Sequence, residues 1–301
     1  MWRPGPKRSA STNLSSNPTF RTLEGKIAIV TGASRGIGAA IARNLASKGA
    51  HVVLNYTSES STKVTEELAE KLRSEYEVQA IPVQANMGSE TGPAHIVEVA
   101  QNHFKHPKTG KFQIDIIINN AGVAGNQTIE EFTIDQFTRQ YNINVRGPLL
   151  LIQAALPFLP TDRSGRIVNL SSVSSSLGYV SQSVYGGTKA ALEAMTRTWA
   201  RELAERATVN AINPGPVATD MYTSTDDAFV AQNRPFIENT PLSRPREAID
   251  PKEIYDPVEK TGGRAAYSEE IAGIVGAIVS PEAGWSTGSV VCANGGMVMS
   301  Y

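Results

Sequence analysis

A glycine-rich turn near the start of the chain constrains the fold more than any other feature of the sequence. Residues 31–38 read Thr-Gly-Ala-Ser-Arg-Gly-Ile-Gly and directly follow an apolar run at residues 27–30. After the turn, apolar residues recur at helical spacing up to Leu45, and a second apolar run spans residues 52–54. Uninterrupted apolar runs are typical of strands buried on both faces of a parallel sheet. The region therefore predicts a strand, a tight turn, a helix and a second, parallel strand.

The same alternation continues along the chain. Further strands are predicted at residues 79–83, 114–118, 166–170, 208–212 and 289–292. Helices are predicted at about 62–76, 92–104, 132–156, 185–205 and 268–279. Such alternation is typical of a doubly wound parallel sheet with helices on both faces, joined by right-handed crossovers. We therefore expect an α/β fold with three layers, α/β/α, in a single domain.

Two segments fall outside this pattern. Residues 1–22 are rich in Ser, Pro, Asn and basic residues and contain no acid, so we expect a disordered N-terminal tail before a domain at residues 23–301. A transit peptide would share that basic composition, but three prolines in the tail would interrupt an amphipathic helix. Residues 216–263 carry many prolines and charges and only short helical fragments such as 226–233, which is typical of a substrate-binding loop.

The composition excludes several classes of function. The formal net charge is -1 with both signs interspersed, so the chain has no basic field for nucleic acid or an anionic membrane, and a small-molecule substrate fits better. The single cysteine, Cys292, allows no internal disulfide, which suits the reducing cytoplasm. His103 and His106 lie in a Lys-rich stretch, where we expect a solvated loop and no metal site. No apolar run approaches the roughly 20 residues of a membrane-spanning helix.

The position of the glycine-rich turn, after a strand and before a helix, indicates that it binds an anion. Glycine lets the backbone turn tightly and approach a phosphate, and the helix N-terminus presents N–H groups and a partial positive charge. A glycine triplet alone is a weak signal, but this context is typical of dinucleotide binding. The spacing of the glycines resembles the cofactor turn of the short-chain dehydrogenase/reductase family. The resemblance implies cofactor contacts at Gly32, Ser34, Arg35, Gly36, Ile37 and Gly38.

A second motif carries the chemistry of that resemblance. Tyr185 and Lys189 lie four residues apart at the start of a predicted helix, and hence on one face of it. A free tyrosine titrates near pH ~10, so a cation beside it would stabilise its anion and let it act as an acid or base near neutrality. Ser172 precedes Tyr185 by thirteen residues, the spacing at which the family carries its catalytic serine. Ser171 and Ser174 are neighbours that compete for this assignment.

Three more segments extend the resemblance to about residues 23–299. Asn144 lies in the predicted helix 132–156, where the family's fourth catalytic residue kinks the helix and binds a water leading to the lysine. Gly147 and Pro148 favour such a kink. Residues 119–122, Asn-Asn-Ala-Gly, resemble a segment that flanks the cofactor, and residues 214–219 resemble one that contacts the nicotinamide carboxamide. The resemblance implies further cofactor contacts at Asn119, Ala121, Gly122, Tyr185, Lys189, Pro214, Gly215, Val217 and Thr219.

The end of the second strand favours NADP(H) over NAD(H). Tyr56 stands where NAD-dependent members of the family carry an acid, which would repel a 2′-phosphate. Arg35 is placed to pair with that phosphate, and Thr57 can add a hydroxyl donor. After the third strand, Asn86 and Met87 replace the Asp-Val that is usual in the family. The side-chain carbonyl of Asn86 can still accept a hydrogen bond from the adenine amino group, without a charge.

The resemblance implies a Rossmann fold and an enzyme that moves a hydride between NADP(H) and a ketone or secondary alcohol. Ser172 and Tyr185 would bind the substrate oxygen, and Tyr185 would supply the proton. A homotetramer built on the helices at 132–156 and 185–205 is implied by the resemblance alone.

Several alternatives for the substrate stay open. The sequence resembles both the 3-oxoacyl reductase and the polyhydroxynaphthalene reductase branches of the family, and a fatty-acid type 3-oxoacyl thioester reductase is the alternative enzyme. A non-catalytic NADP(H) sensor on the same fold is the alternative outside catalysis. A broad substrate pocket would favour aromatic or polyketide carbonyls, and its lining residues are predicted to be Tyr179, Met221, Tyr222 and Phe229.

Overall fold

Seven parallel strands form the centre of the structure, a computed structural model that describes residues 21–246, 248–250 and 258–299. The strands are β1 (Ile27–Val30), β2 (His51–Tyr56), β3 (Ala80–Gln84), β4 (Ile116–Asn119), β5 (Gly165–Leu170), β6 (Ala207–Ile212) and β7 (Val290–Val291). Their order in the sheet is β3-β2-β1-β4-β5-β6-β7, and every neighbouring pair is parallel. The predicted doubly wound sheet is therefore confirmed.

Helices connect the strands and cover both faces of the sheet. They are α1 (Gly36–Ser47), α2 (Thr62–Tyr76), α3 (Gly92–Phe104), α4 (Ile134–Tyr141), α5 (Gly147–Ala155), α6 (Ser174–Leu177), α7 (Ser183–Glu202), α8 (Asp220–Thr223), α9 (Asp227–Glu238), α10 (Val258–Thr261) and α11 (Ser268–Ile278). Among the described residues, no helix has both the length and the apolar character that crossing a membrane requires.

The structure differs from the predicted elements mainly at their ends. The last strand was predicted at residues 289–292 and is only Val290–Val291, because it lies at the sheet edge and pairs with β6 alone. The helix predicted at 132–156 is divided into α4, a π-helical turn at Asn142–Arg146, and α5. This division confirms the predicted kink. The tail predicted at residues 1–22 lies outside the described residues except for its last two.

The core consists of two layers of apolar side chains, one on each face of the sheet. In β1, Ala28 and Val30 belong to one layer and Ile29 to the other, as the alternation of side chains along a strand requires. The first layer is completed mainly by α1, α2 and α11, and the second mainly by α3, α5 and α7. Because both faces of the central strands are covered, these strands consist almost entirely of apolar residues.

A cluster of hydrogen bonds joins the end of β1 to the end of β4, where the strand order reverses. Thr31 Oγ1 accepts from the backbone N–H groups of Asn120 and Ala121, each at 3.0 Å. The Asn120 side-chain amide donates to the backbone oxygens of Thr31 (2.8 Å) and Gly32 (3.0 Å). In doubly wound sheets, ligands bind in the crevice at this reversal. The fold therefore places the glycine-rich turn at one wall of the expected binding crevice.

The segment predicted as a substrate loop at 216–263 carries α8, α9 and α10, and residues 247 and 251–257 of it lie outside the described residues. An isolated bridge between Val217 and Ala266 joins the start of this segment to the residues just after it. The buried Asp250 carboxylate pairs with Arg246 at 2.7 Å and accepts from the Tyr267 hydroxyl at 3.3 Å. The loop is thus anchored to the residues that precede α11.

We expect Gly38→Ala to destabilise the protein, because the turn has no room for a side chain at this position. A Cβ there would lie 2.2 Å from the Gly32 oxygen and 2.5 Å from Asn120 Nδ2. Overpacking of this kind typically lowers the free energy of unfolding by about 1–3 kcal/mol. Chemical unfolding monitored by circular dichroism measures the change.

The matched control for this prediction is Gly273→Ala, at an exposed position of α11 where nothing lies within 4 Å of the added Cβ. Alanine has the higher helix propensity, so this variant should gain up to ~1 kcal/mol. Equal unfolding midpoints for the two variants would show that the turn tolerates a side chain at Gly38.

Candidate active site

The glycine-rich turn forms a cradle at the N-terminus of α1, in which the glycines leave the backbone uncovered. Gly32 and Gly36 adopt left-handed backbone angles, with φ of 62° and 54°, which favour glycine. A Cβ on Gly36 would lie 3.1 Å from the methyl carbon of Thr219. Among the described residues, no side chain caps α1 and no acid lies in its first turn. These residues therefore fit a phosphate group, which the free N–H groups and the helix dipole would bind.

The predicted 2′-phosphate contacts lie at the open rim of this cradle. Arg35 is 71% exposed, and its Nε lies 3.6 Å from an Asp220 carboxylate that is itself 79% exposed. An ion pair as exposed as this is worth at most ~1 kcal/mol, so Asp220 holds Arg35 only weakly. Thr57 is exposed, whereas the side chain of Tyr56 is buried. The expected cation and hydroxyl are thus accessible at the end of β2.

Two of the predicted cofactor contacts have buried side chains, and a third already has a partner for its side-chain oxygen. The Asn119 side chain lies inside the sheet and donates to Asn169 Oδ1 at 2.7 Å, so it does not reach the crevice. The side chain of Met87 belongs to the core and is 2% exposed. The Asn86 side-chain oxygen already accepts from the Gly88 N–H at 2.8 Å, which leaves one lone pair for an adenine amino group.

Sequence reasoning did not single out Asn120, whose side chain binds the glycine-rich turn. Asn119 is the last residue of β4 and its side chain lies between strands, whereas Asn120 follows the strand and contacts the glycine-rich turn. The signal that separates the two is the strand end, which the sequence prediction placed one residue too early.

Tyr185, Lys189 and Ser172 are brought together as predicted. Tyr185 and Lys189 lie on one face of α7, and Lys189 Nζ lies 5.6 Å from the centroid of the Tyr185 ring. Ser172 follows β5 and hydrogen-bonds to Tyr185, a contact that favours the phenolate. The buried Lys189 ammonium donates to the Leu170 backbone oxygen at 2.7 Å. The geometry places a phenol, a hydroxyl and a cation at the carboxyl end of the sheet.

Burial dominates the pKa of Tyr185 in this structure, and the stabilisation of its anion by Lys189 stays a prediction. Burial raises the pKa of Tyr185 to about 12, and its hydrogen bond with Ser172 opposes this rise. Burial also lowers the pKa of Lys189 to about 8. Desolvation disfavours the charged form of each group. Tyr185 is therefore protonated near neutrality, as a proton donor must be.

Asn144 lies within the π-helical turn and fastens the segment that follows β4. Its side-chain oxygen accepts from the Val123 N–H at 2.9 Å, and its amide donates to the Val123 oxygen at 2.9 Å and to Thr188 Oγ1 at 3.0 Å. A Cβ on Gly122 would lie 3.4 Å from both Asn144 Oδ1 and Lys189 Nζ, so these groups surround the glycine. The water predicted at Asn144 stays a prediction.

Thr188 is a further residue that sequence reasoning missed. It is fully buried, accepts from Asn144, and its hydroxyl lies 2.7 Å from the Tyr185 backbone oxygen. The sequence signal that could have identified it is a hydroxyl residue at the third position after the tyrosine. Thr188 connects α7 to the π-helical turn beside the reacting groups.

The segment predicted to contact the nicotinamide lies beside the serine. The Pro214 backbone oxygen accepts from the Val173 N–H at 3.0 Å, and Gly215 lies against Asn294. Thr219 Oγ1 donates to the Val217 oxygen at 3.2 Å, and its methyl group contacts Gly36. The segment therefore spans from the reacting groups to the phosphate cradle.

The four predicted substrate residues divide into two kinds. The Tyr179 ring packs edge-on against Phe229 and Phe236, with centroid distances of 6.1 and 5.3 Å, and burial raises its pKa above the usual range. Tyr222 is also largely buried, and its pKa is raised for the same reason. Met221 is half exposed. Tyr179 and Phe229 thus belong to an aromatic cluster, and Tyr179 also lines a neighbouring cleft.

A cleft of about 740 Å³ is lined by Ser174 and by Tyr179 of the aromatic cluster. Most of its polar groups are hydroxyls and amides of residues 174–183, and Thr128 also lines it. Ser172 Oγ donates to Ser174 Oγ at 3.1 Å, and Ser174 Oγ donates to Gln182 Oε1 at 2.6 Å. The Gln182 amide continues this chain to Asn126 at 2.9 Å. Sequence reasoning missed Gln182 and Asn126, because nothing local marks them.

Comparisons with known proteins agree with this geometry. A family model described as short chain dehydrogenase matches residues 26–228. L-xylo-3-hexulose reductase of Hypocrea jecorina is 52% identical over 300 residues, which covers 93% of this chain and 99% of the relative. L-xylulose reductase of Aspergillus niger is 52% identical over 297 residues, which covers 92% of this chain and 98% of the relative.

Two solved structures share the fold. A blue fluorescent protein from a metagenomic library in complex with NADPH has a TM-score of 0.75 and 32% identity, and the match covers 92% of this chain and 100% of that protein. The angucycline C-6 ketoreductase LanV with bound NADP has a TM-score of 0.76 and 31% identity, with coverage of 92% and 96%.

Proposed function

The chain belongs to the short-chain dehydrogenase family and is an NADP(H)-dependent oxidoreductase of carbonyl and alcohol groups, and we propose that its substrate is a polyhydroxy ketone. The observation that carries the substrate is the 52% identity, over nearly the whole chain, to two relatives named as ketose reductases. A ketose differs from a fatty acyl thioester or an aromatic ketone by its row of hydroxyl groups. The binding site for it must therefore supply hydrogen bonds.

The cleft beside Ser172 supports this choice of substrate. A polyhydroxy ketone loses its hydrogen bonds to water on binding, and protein groups must replace them. Ser174, Gln182 and Thr128 offer hydroxyl and amide groups along the cleft. Tyr179 and Phe229, the rings expected to favour aromatic substrates, pack against each other or against Phe236. The identity to the two ketose reductases does not favour the fatty-acid and aromatic alternatives.

The catalytic roles that we propose follow from the reacting groups. When bound, NADPH supplies the hydride. Ser172 and Tyr185 donate hydrogen bonds to the ketone oxygen, and Tyr185 gives it a proton as the alcohol forms. The Lys189 ammonium favours the negative charge that then develops on the tyrosine oxygen. Asn144 and Thr188 hold the backbone around these groups. A sensor without catalysis would have no use for this arrangement.

We further propose that the protein is a cytoplasmic homotetramer. Support for assembly comes from Ile134, Phe137 and Leu149, which lie on α4 and α5 and are exposed although they are large and apolar. Exposed apolar groups on neighbouring helices are typical of subunit interfaces. Support for the compartment is the single cysteine, which leaves the chain without an internal disulfide.

We expect Arg35→Ala to lower the affinity for NADPH but not for NADH. The guanidinium would lose a charge-assisted contact to the 2′-phosphate, worth about 1.5–3 kcal/mol, or roughly tenfold to a hundredfold in Kd. Fluorescence titration with both nucleotides measures the change. Arg43→Ala, which removes an exposed charge from the same helix, serves as the control. An equal loss for both nucleotides would exclude a role in reading the phosphate.

We expect ketone reduction to fall as the pH rises through about 8, the pKa to which burial lowers Lys189. Below this pH the lysine is an ammonium ion and favours the forming phenolate, and above it the charge is lost. A single deprotonation should reduce kcat/KM about tenfold per pH unit. The measurement is kcat/KM for the ketone at saturating NADPH from pH 6 to 10. A rate that increases over this range would contradict the role of Lys189.

The proposed function is tested with wild-type enzyme, Tyr185→Phe and a panel of carbonyl substrates read by NADPH absorbance. Wild-type enzyme should reduce L-xylulose or another ketose with higher kcat/KM than a bicyclic aromatic ketone or a 3-oxoacyl thioester. Tyr185→Phe lacks the proton donor, so kcat should fall by about 10²–10⁴-fold while the Kd of NADPH stays within twofold. Near-normal turnover by this variant would refute the catalytic assignment, and preference for the aromatic ketone would refute the ketose.

A further inference from the structure

We propose that Glu193 is a positioning residue, which holds Ser172 in place by binding the serine hydroxyls on either side of it. The proposal rests on the proposed role of Ser172 in ketone reduction. Glu193 lies on α7 one turn after Lys189 and is partly buried. It does not touch the reacting groups and acts through its neighbours.

Glu193 contacts one residue before Ser172 and one residue after it. Its Oε1 accepts from Ser171 Oγ at 2.5 Å and lies 2.7 Å from Ser175 Oγ. Ser171 directly precedes Ser172, and Ser175 Oγ lies 2.8 Å from the Ser172 backbone oxygen. The Ser175 N–H also donates to that oxygen at 3.0 Å. One carboxylate oxygen thus connects the residue before Ser172 with the turn that follows it.

The segment around Ser172 needs an external anchor. It joins β5 to α6, which has only four residues, and a helix of one turn has little stability of its own. Among the residues that the structure describes, the partners of Ser172 Oγ besides Tyr185 lie within this turn, at 3.1 Å to Ser174 Oγ and 3.2 Å to the Ser174 backbone nitrogen. The position of the hydroxyl therefore follows the backbone of residues 171–175. Glu193 ties this backbone to the helix that carries Tyr185 and Lys189.

Such a connection has a consequence for the reaction. Tyr185 and Ser172 must meet the same substrate oxygen, although they come from different elements. A shift of ~1 Å between such groups can reduce the rate by about a hundredfold. The contacts of Glu193 fix the distance between the two elements. Its loss should therefore reduce kcat and leave nucleotide binding intact.

The experiment compares kcat, the Kd of NADPH and the melting temperature for a set of full-length variants. Glu193→Ala should lower kcat at least tenfold with the Kd of NADPH within twofold of wild type. Glu193→Gln retains an oxygen that can accept from both serines and should keep kcat within about fivefold. Glu202→Ala removes an exposed carboxylate from the same helix and should change none of the three quantities.

A double-mutant cycle separates positioning from a general loss of stability. Ser171→Ala combined with Ser175→Ala removes both partners of Glu193 and should lower kcat as much as Glu193→Ala does. Adding Glu193→Ala to this pair should then change kcat by less than threefold, because the contacts are already gone. If Glu193→Ala fails to fold, Glu193→Gln and the serine pair still provide the comparison.

The outcomes distinguish this inference from the proposed function. Glu193 is not a positioning residue if kcat of Glu193→Ala stays within twofold of wild type, if kcat and nucleotide binding fall together, or if its effect multiplies fully with that of the serine pair. Ser172→Ala tests the underlying role separately. If that variant keeps kcat within threefold of wild type, the proposed role of Ser172 fails, and Glu193 loses its function with it.

Discussion

The hydrogen bonds between Thr31 and Asn120 hold the two halves of the sheet together at the point where the site is formed. They join the end of β1 to the end of β4, and they use both the side chain and the backbone of each residue. The connections that follow these two parallel strands lead to opposite halves of the sheet, and a crevice forms between the strand ends. The junction fixes the position of these ends. Gly38 packs directly on the junction, where even a methyl group has no room. The anion cradle and the segment at Gly122 therefore depend on the same contacts.

A second junction fixes the reacting groups relative to that cradle. Asn144 binds Val123, which follows β4, and Thr188, which lies one residue before Lys189 on α7. The π-helical turn is what brings its side chain there, since it interrupts the helix between α4 and α5. π-helical turns are often found at functional sites, where the extra residue redirects a side chain. The phosphate end and the chemical end of the crevice are thus connected through β4.

The sequence was sufficient for the parts of the fold that depend on local pattern. The apolar runs and the helical spacing around Gly32 and Gly36 identified β1, the turn and α1, because each element there buries side chains in the order that its geometry requires. The spacing of Tyr185 and Lys189 placed both on one face, as found. In contrast, the choice between Asn119 and Asn120 depended on where β4 ends, and strand ends are set by pairing with neighbouring strands.

The residues that the sequence did not reveal are connected across the fold. Gln182 hydrogen-bonds to Ser174 and to Asn126, and Asn126 lies 56 positions before it in the chain. Glu193 matters because of two serines about twenty positions before it. Neither residue belongs to a periodic pattern, and both are polar at positions of ordinary composition. Tertiary packing determines which of these side chains become hydrogen-bond partners, and a local sequence pattern does not show this.

The pKa of Tyr185 also depends on tertiary structure. Sequence spacing shows that a cation is near the phenol, but the effect on a pKa depends on burial as well as charge. Burial makes the phenol a weaker acid and the ammonium ion a stronger one, so their pKa values move apart, to about 12 for Tyr185 and about 8 for Lys189. The proton is then retained on Tyr185 until a substrate oxygen that is gaining negative charge can take it. This order of the two pKa values is suited to reduction, because the tyrosine becomes an anion only as the alcohol is formed.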